Sequence, residues 1–502
     1  MSLEFSSVAL TFGAIVAAVA GGLRWLRVAQ REHYVEGSVL RFARRWWLSS
    51  LLNMVLLGVA LVGAIGVWWW APIGWLALAL VVGPVGLSMT GTSSALRWTA
   101  RLRRVAAVTG VFAIGMVVVA IATGQAGWSV AAALAIPLVV DLALALLAPL
   151  ERAISERWVT RAAAKLASSG ARVVAITGSY GKTTTKGYLH HLIASQVSAV
   201  TTPASFNNRM GLARAINEHL IPGAAVFVAE MGTYGKGEIA ELCEFVPPDV
   251  AVITSIGPVH LERFGSEESI VEAKREILAN ARVAILNVDH PLLAGVADQE
   301  EGHLKVVRVS ASDVAADVSV VDGILRIDGV TVGAVGPEVF GSNLAAAAAA
   351  AIQCGVGGEE IARRLPTLPA TPHRREQSTS ERGFVVIDDT YNSNPAGARA
   401  ALDLLFSMPG EGRRVVVTPG MVELGTRQFS ENSLFGRAAA ERASDLLVVG
   451  TTNRRALVEG GRGGAATVTV LSSRQEAVEW VRSQLGPGDA VLYENDLPDH
   501  YP

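Results

Sequence analysis

Charged residues are sparse and clustered over the first 150 positions, and long uncharged apolar runs lie between the clusters. Phe5 to Leu23 is uncharged and long enough for one bilayer crossing. Trp46 to Leu96 carries no charge and has room for two crossings, with a turn expected near Trp70-Ala71-Pro72. Val105 to Val140 is again uncharged, and Asp141 to Leu150 extends it. A turn near Gly124 to Gly127 would split that stretch into two more crossings. The pattern predicts an α-helical membrane domain of about five transmembrane helices over residues 1–150. Buried helices of a soluble domain would not need uncharged runs of more than about 18 residues again and again.

The pattern changes after Glu151. Glu151 to Ala171 is polar and helix-like, and short apolar runs then alternate with amphipathic ones. Val173–Ile176, Ala225–Glu230 and Val250–Ser255 predict buried strands, with an amphipathic helix over Ser269–Ala279 and an alanine-rich helix over Asn343–Gln353. The stretch PATPHRREQ, Pro369 to Gln377, has the composition of a linker. Beyond it Phe384–Asp389, Arg414–Thr418, Leu446–Gly450 and Ala490–Tyr493 predict a second parallel α/β unit. The expected organisation is a transmembrane domain (1–150), a central nucleotide-binding domain (151–367) and a Rossmann-like C-terminal domain (368–502).

Charge gives the helices a direction. Arg24, Arg27, Arg31, Arg41, Arg44 and Arg45 lie in the first predicted loop, and Arg97, Arg101, Arg103 and Arg104 precede the fourth span. The alternate loops carry no Lys or Arg. Positive loops stay in the cytoplasm, so the N-terminus is expected outside and the α/β domains inside, on the inner membrane. No basic stretch precedes the first apolar run, which argues against a cleaved signal peptide. Trp46, Trp47, Trp68 to Trp70, Trp75 and Trp128 fall near predicted span ends, where interface anchors sit. Asp141 lies inside the last span, facing a lipid head group or a partner, a local pair or a wet crevice. The net charge of −2 gives no sign of nucleic-acid binding. Cys243 and Cys354 form no zinc or disulfide pattern.

The chemistry is concentrated in VVAITGSYGKTTTKGY, Val173 to Tyr188. A strand, a glycine turn and a helix opening on Lys182 and three threonines form a phosphate cradle: Gly178 and Gly181 let the backbone approach, the helix N–H groups point at the anion, and Lys182 adds charge. Thr183 is placed to ligate Mg²⁺. The plain alternative is a strand–turn–helix with a chance lysine. Glu230 closes a predicted strand, where ligands gather in open α/β sheets, and is a natural second Mg²⁺ ligand. His260 lies just past the next strand; a lone histidine is more often structural, but its neighbours make it a candidate ligand. Lys274, from its own helix pattern, is a solvated lysine. Asn207, Asn208 and Arg209 form a polar knot before a helix.

Together these stretches resemble the Mur ligase family, which joins amines to cell-wall precursors using ATP. The likeness covers roughly residues 171–495. GSYGKTTT is similar to the family's short phosphate loop, VAEMGTYGKGEI to its magnesium-binding glutamate segment, and ITSIGPVHLERFGS to its histidine segment. EAKREI resembles the segment whose lysine is carbamylated, and HRRE (His373 to Glu376) the interdomain motif. DDTYNSNP and MVELG are most like the branch that adds a D-Ala-D-Ala dipeptide. The resemblance implies that a substrate carboxylate takes the γ-phosphoryl group of ATP and that an amine then attacks the acyl phosphate. It places Gly178, Ser179, Tyr180, Gly181, Lys182, Thr183 and Thr184 around the nucleotide phosphates. Thr183, Glu230, His260 and a carbamylated Lys274 would lie at one or two Mg²⁺ ions. Asn343 would lie near the nucleotide, Arg374 on phosphate and Asp388 on ribose. Lys182, Glu230, His260 and Lys274 are the expected catalytic set.

The chain also departs from that pattern. Membrane spans stand where the dipeptide-adding branch has a soluble domain for the uridine diphosphate of its substrate. Pro419-Gly420-Met421 replaces Gly-Asp-Met, and the chain ends LYENDLPDHYP without the usual Lys-Gly-Ser-Arg. The expected amine is therefore an amino acid or a D-Ala-D-Ala-like dipeptide. The expected acceptor is a carboxylate on a cell-envelope precursor, lipid-linked at the membrane surface. The rival readings are a capsule-type polyglutamate synthase, an ATPase driving a conformational change in the membrane domain, and a scaffold with a dead nucleotide site.

Overall fold

The structure is a computed structural model that describes residues 2–48, 50–87, 89, 95–203, 206–258, 261–336, 338–369, 375–391 and 393–497. The chain divides into two compact units, Met1–Ile154 and Ser155–Asp496.

The N-terminal unit is helical: α1 (Ser2–Arg31), α2 (Ser38–Trp47), α3 (Leu51–Gly66), a 3-10 segment Ala71–Leu78 leading into α4 (Ala79–Val82), α5 (Ala100–Thr123) and α6 (Gly127–Ser169). Among the described residues three helices, within α1, α5 and α6, are long and apolar enough to cross a membrane. A fourth is reached if α2 and α3, bent by 110°, count as one. This corrects the expectation of five. The turn near Trp70 is present, but Pro72 opens a 3-10 segment and α4 ends at Val82, so the described residues in the second half of Trp46–Leu96 build no long helix. The polar connector after Glu151 is no separate element, because α6 runs unbroken into it.

Two charged groups buried in this unit, Arg24 and Asp141, are bound to backbone. The Arg24 guanidinium donates to the carbonyls of Leu80, Val81, Gly83 and Leu87, gathering the orphan acceptors at the end of α4. Arg27 is buried as well, so these two arginines are not loop charges. Asp141 accepts from the N–H groups of Val39 and Leu40. It caps α2, whose own N-cap, Gly37, supplies no side chain. The local pairing is the outcome for Asp141. Trp46 and Trp47 sit in the helical core rather than at an interface, whereas Trp68 to Trp70 remain exposed.

The α/β unit holds two sheets. In the first, β1 (Arg172–Thr177), β2 (Ala199–Thr201), β3 (Val226–Glu230), β4 (Val250–Ile253), β5 (Val283–Asn287), β6 (Lys305–Ser310), β7 (Val318–Val321), β8 (Ile324–Ile327) and β9 (Val330–Ala334) lie in the order 2-3-1-4-5-6-7-8-9. The strands pair in parallel from β2 to β7, and β8 and β9 close the edge antiparallel. The central strands are apolar on both faces because helices cover both. The alanine-rich helix Gly341–Gln353 packs on one face, its short side chains allowing close approach to α7 (Lys182–Ile193). In the second sheet β10 (Glu376–Thr379), β11 (Val385–Asp389), β12 (Arg414–Thr418), β13 (Asp445–Val449), β14 (Thr467–Leu471) and β15 (Ala490–Glu494) take the order 10-11-15-12-13-14. Only β10 is antiparallel. The expected linker is shorter than its composition suggests, since Glu376 and Gln377 already pair with β11.

Candidate active site

β1 lies between β3 and β4, so its carboxyl end faces the loops that follow all three strands. The loop after β1 is bolted to the segment after β4. Ser179 N donates to the Ser255 carbonyl at 2.8 Å, Tyr180 N donates to Ser255 Oγ at 2.9 Å, and Ser179 Oγ bridges to Gly257. Both expected glycines are required. A Cβ on Gly178 would meet Thr254 Oγ1 at 2.0 Å, and one on Gly181 would meet Asn343 Oδ1 at 2.2 Å. Gly181 also takes φ 81°, from which α7 starts with Lys182. The Lys182 ammonium donates to the Gly178 carbonyl at 2.7 Å and so stays at the mouth of the loop.

Glu230, at the end of β3, is buried and surrounded by donors. Its Oε2 accepts from Thr183 Oγ1 at 3.0 Å and from Lys186 Nζ at 2.9 Å, and its Oε1 accepts from Asn207 Nδ2 at 3.2 Å. The Lys186–Glu230 pair is nearly dry, with the side chains 7% and 2% exposed. Sequence reasoning missed Lys186. The available signal was its spacing: one turn after Lys182 and Thr183, it falls on the same helix face.

Gly178, Ser179, Lys182, Asn207, Gly232 to Tyr234, Phe264, Ile270 and Lys274 line one pocket of about 60 Å³. Lys274 is not the solvated lysine its helix pattern suggests. It is buried at the end of helix Glu267–Arg275. Burial, and then the Lys182 charge, hold its amine well below the ordinary lysine value.

The structure therefore brings together Gly178, Ser179, Gly181, Lys182, Thr183, Glu230, Lys274 and Asn343. Thr184 lies on α7 but is buried. Tyr180 turns its ring against Gly257, and its hydroxyl is buried without a partner among the described residues. Burial and the Glu267 and Glu431 carboxylates push that phenol up. Asp388 belongs to the second sheet, on β11, and accepts from Thr390 N and Oγ1. Its neighbour Asp389 accepts from Arg375 N, while the Arg375 guanidinium covers the Phe340 ring. His260 and Arg374 lie outside the described residues.

The donor set fits a nucleotide and Mg²⁺. Gly178 and Gly181 let the loop pack against Thr254 and Asn343 where no side chain fits, and this leaves the N–H groups at the start of α7 to meet a phosphate. A carboxylate with a hydroxyl on the same oxygen is a hard-oxygen pair, which Mg²⁺ completes with phosphate oxygens and water.

Residues 176–350 match the Mur ligase middle domain, and residues 373–493 match the Mur ligase glutamate ligase domain. The UDP-N-acetylmuramoyl-tripeptide--D-alanyl-D-alanine ligase of Mycobacterium tuberculosis (strain ATCC 25618 / H37Rv) is 32% identical over 377 residues, covering 67% of this chain and 72% of that protein. The ligase of the same name from Bacillus subtilis (strain 168) is 29% identical, covering 66% and 75%. The crystal structure of MurF from Acinetobacter baumannii superposes with a TM-score of 0.59 at 25% identity, over 68% of this chain and 77% of that one. With the phosphate loop, the buried carboxylate and both α/β domains in place, the chain belongs to the Mur ligase family of ATP-dependent amide-bond ligases.

Proposed function

We propose that this is a membrane-anchored Mur ligase that adds an amino acid or a D-Ala-D-Ala-like dipeptide to a carboxylate on a lipid-linked cell-envelope precursor. The observation that carries the reading is a D-Ala-D-Ala-ligase-like α/β unit in the same chain as three long apolar helices. An enzyme held on the bilayer meets a lipid-borne acceptor without having to bind its carrier nucleotide.

In this reading residues 1–150 anchor the chain, 151–367 bind ATP and 368–502 bind the amine. Three crossing helices leave the N-terminus outside and the α/β unit in the cytoplasm. Lys182 and the loop N–H groups hold the nucleotide phosphates, Thr183 and Glu230 hold Mg²⁺, and His260 lies beside them. The ion's contribution is to neutralise phosphoryl charge. Asn343 lies near the nucleotide, Arg374 on phosphate and Asp388 on ribose, so the second sheet closes over the first and excludes water from the acyl phosphate. Lys274 is carbamylated: its amine nitrogen bonds to the carbon of CO₂, releases a proton and becomes an anion beside Lys182. An uncharged amine is the form that does this, and burial favours it.

The coupled-ATPase reading has lost its intramembrane carboxylate, because Asp141 is occupied in capping α2. The test is full-length protein in detergent with bicarbonate, ATP, Mg²⁺, membrane lipid extract and a panel of amines, read by product mass and ADP. A lipid heavier by one amine residue is expected. ADP released with no adduct across the panel would overturn the ligase reading. Equal turnover of a soluble nucleotide-linked acceptor by residues 151–502 alone would overturn the lipid-linked one.

A further inference from the structure

We infer that the N-terminal unit holds a specific binding site for a lipid phosphate with a single hydrocarbon chain. A cavity of about 240 Å³ opens between α1, α2 and α6, with Leu57 of α3 and Leu80 of α4 also in its wall. Gly21, Trp25, Trp47, Ala133, Pro137 and Arg44 are among its lining residues. Its walls are otherwise apolar, and a space of about 240 Å³ suits one hydrocarbon chain.

Two observations set its polarity. Arg44 is exposed on α2, on the side of the helix whose Leu40, Ala43 and Trp47 also line the cavity, while Phe42 and Trp46 on the opposite side are buried. Among the described residues its guanidinium has no carboxylate or hydrogen-bond partner, unlike Arg24, Arg101 and Arg104, which do. A cation left unpaired at an apolar cavity is complementary to an anionic head. Independently, Pro137 lies inside α6 and has no N–H, so the Ala133 carbonyl, on the same wall, lacks its helical donor. That acceptor suits a protonated phosphate oxygen or a water held by it. Two indoles flank the chain, as aromatic rings do where an apolar body meets a polar end.

The inference rests on the membrane-anchored reading and specifies where the lipid is held. The test measures binding of a polyprenyl phosphate to full-length protein in detergent, against the corresponding polyprenol and phosphatidylglycerol. Arg44→Gln is compared with Arg103→Gln, an exposed arginine on α5 outside the cavity. Gly21→Leu fills the cavity, and far-UV circular dichroism checks that each variant folds. The expected result is that the phosphate binds best, Arg44→Gln weakens it about tenfold, Gly21→Leu weakens phosphate and polyprenol alike, and Arg103→Gln changes neither. Equal losses from both arginine variants, no loss from Arg44→Gln, or equal binding of phosphatidylglycerol would overturn the site. Turnover of a lipid-linked acceptor untouched by Arg44→Gln would leave the ligase reading standing and remove this one. Selective binding with turnover of only a soluble acceptor would do the reverse.

Discussion

Two buried basic side chains, Arg24 in the helical unit and Lys274 in the α/β unit, are handled in opposite ways. Arg24 is surrounded by four backbone carbonyls, so its charge is spread over acceptors that themselves needed donors. For Lys274 no carboxylate pair is found among the described residues, and the charge acting on it is another cation, Lys182. A buried cation that stabilises a fold arrives with its partners. One that is denied partners is pushed towards its neutral form and becomes a nucleophile. The same contrast separates Asp141, spent on a helix cap, from Glu230, whose donors Thr183, Lys186 and Asn207 hold a carboxylate at the phosphate loop.

The contrast predicts which substitutions damage chemistry and which damage the fold. The largest effect is expected from Lys182→Ala: product formation falls about 10²–10³-fold, the size of losing one preorganised charge stabiliser, with the melting temperature unchanged. Retention of full turnover would detach the phosphate loop from catalysis. Lys274→Met is next, with a loss of about 10²-fold on the same scale. Wild-type turnover should also fall in CO₂-free buffer and recover with bicarbonate. If it does not, the carbamate is wrong.

The same residue makes a stability prediction with a definite sign. The folded lysine titrates well below its unfolded value, so in CO₂-free buffer the unfolded chain binds more protons between the two. Wild-type stability then rises with pH across that window. Lys274→Met, stabilised at neutral pH, should lose its advantage as pH approaches the ordinary lysine value, measured by denaturant melts at several pH values. Glu494 gives the opposite slope. Burial, against hydrogen bonds from Ser393 and Thr418, raises its carboxyl to about 7. Stability should be greatest below its ordinary value of 4.5 and fall as pH rises through about 7, and Glu494→Gln should flatten that fall.

Arg24→Gln should cost about 3 kcal/mol, because buried carbonyls lose a charged donor. It should lower the melting temperature in detergent without changing ATP affinity. Asp141→Asn is expected to be the mildest, about 1 kcal/mol, the scale of a weakened helix cap. A catalytic defect in either variant with stability intact would erase the distinction between the two units.

Local pattern made much of this legible. Glycines at 178 and 181 before Lys182 announce a phosphate loop because only that residue type fits so near Asn343 and Thr254. The strand ending in Glu230 announces a ligand edge because parallel sheets present their carboxyl ends to substrate. Length and apolarity marked out α1, α5 and α6 for the same kind of reason: one crossing is a local property of one run of residues.

What the sequence by itself determined, then, is the set of elements and the residue types at their ends. Only the tertiary structure decided which charges are buried and against what. Periodicity made Lys274 a surface residue and left Lys186 unremarked, because whether a helix face is wet depends on the elements packed over it. It counted a second span after Trp70, because hydropathy does not register where Pro72 and a 3-10 segment end a helix. Asp141 became a cap only when α2 was brought to it from a hundred residues away. Pairings across such distances are fixed by packing and desolvation, which no single stretch of sequence contains.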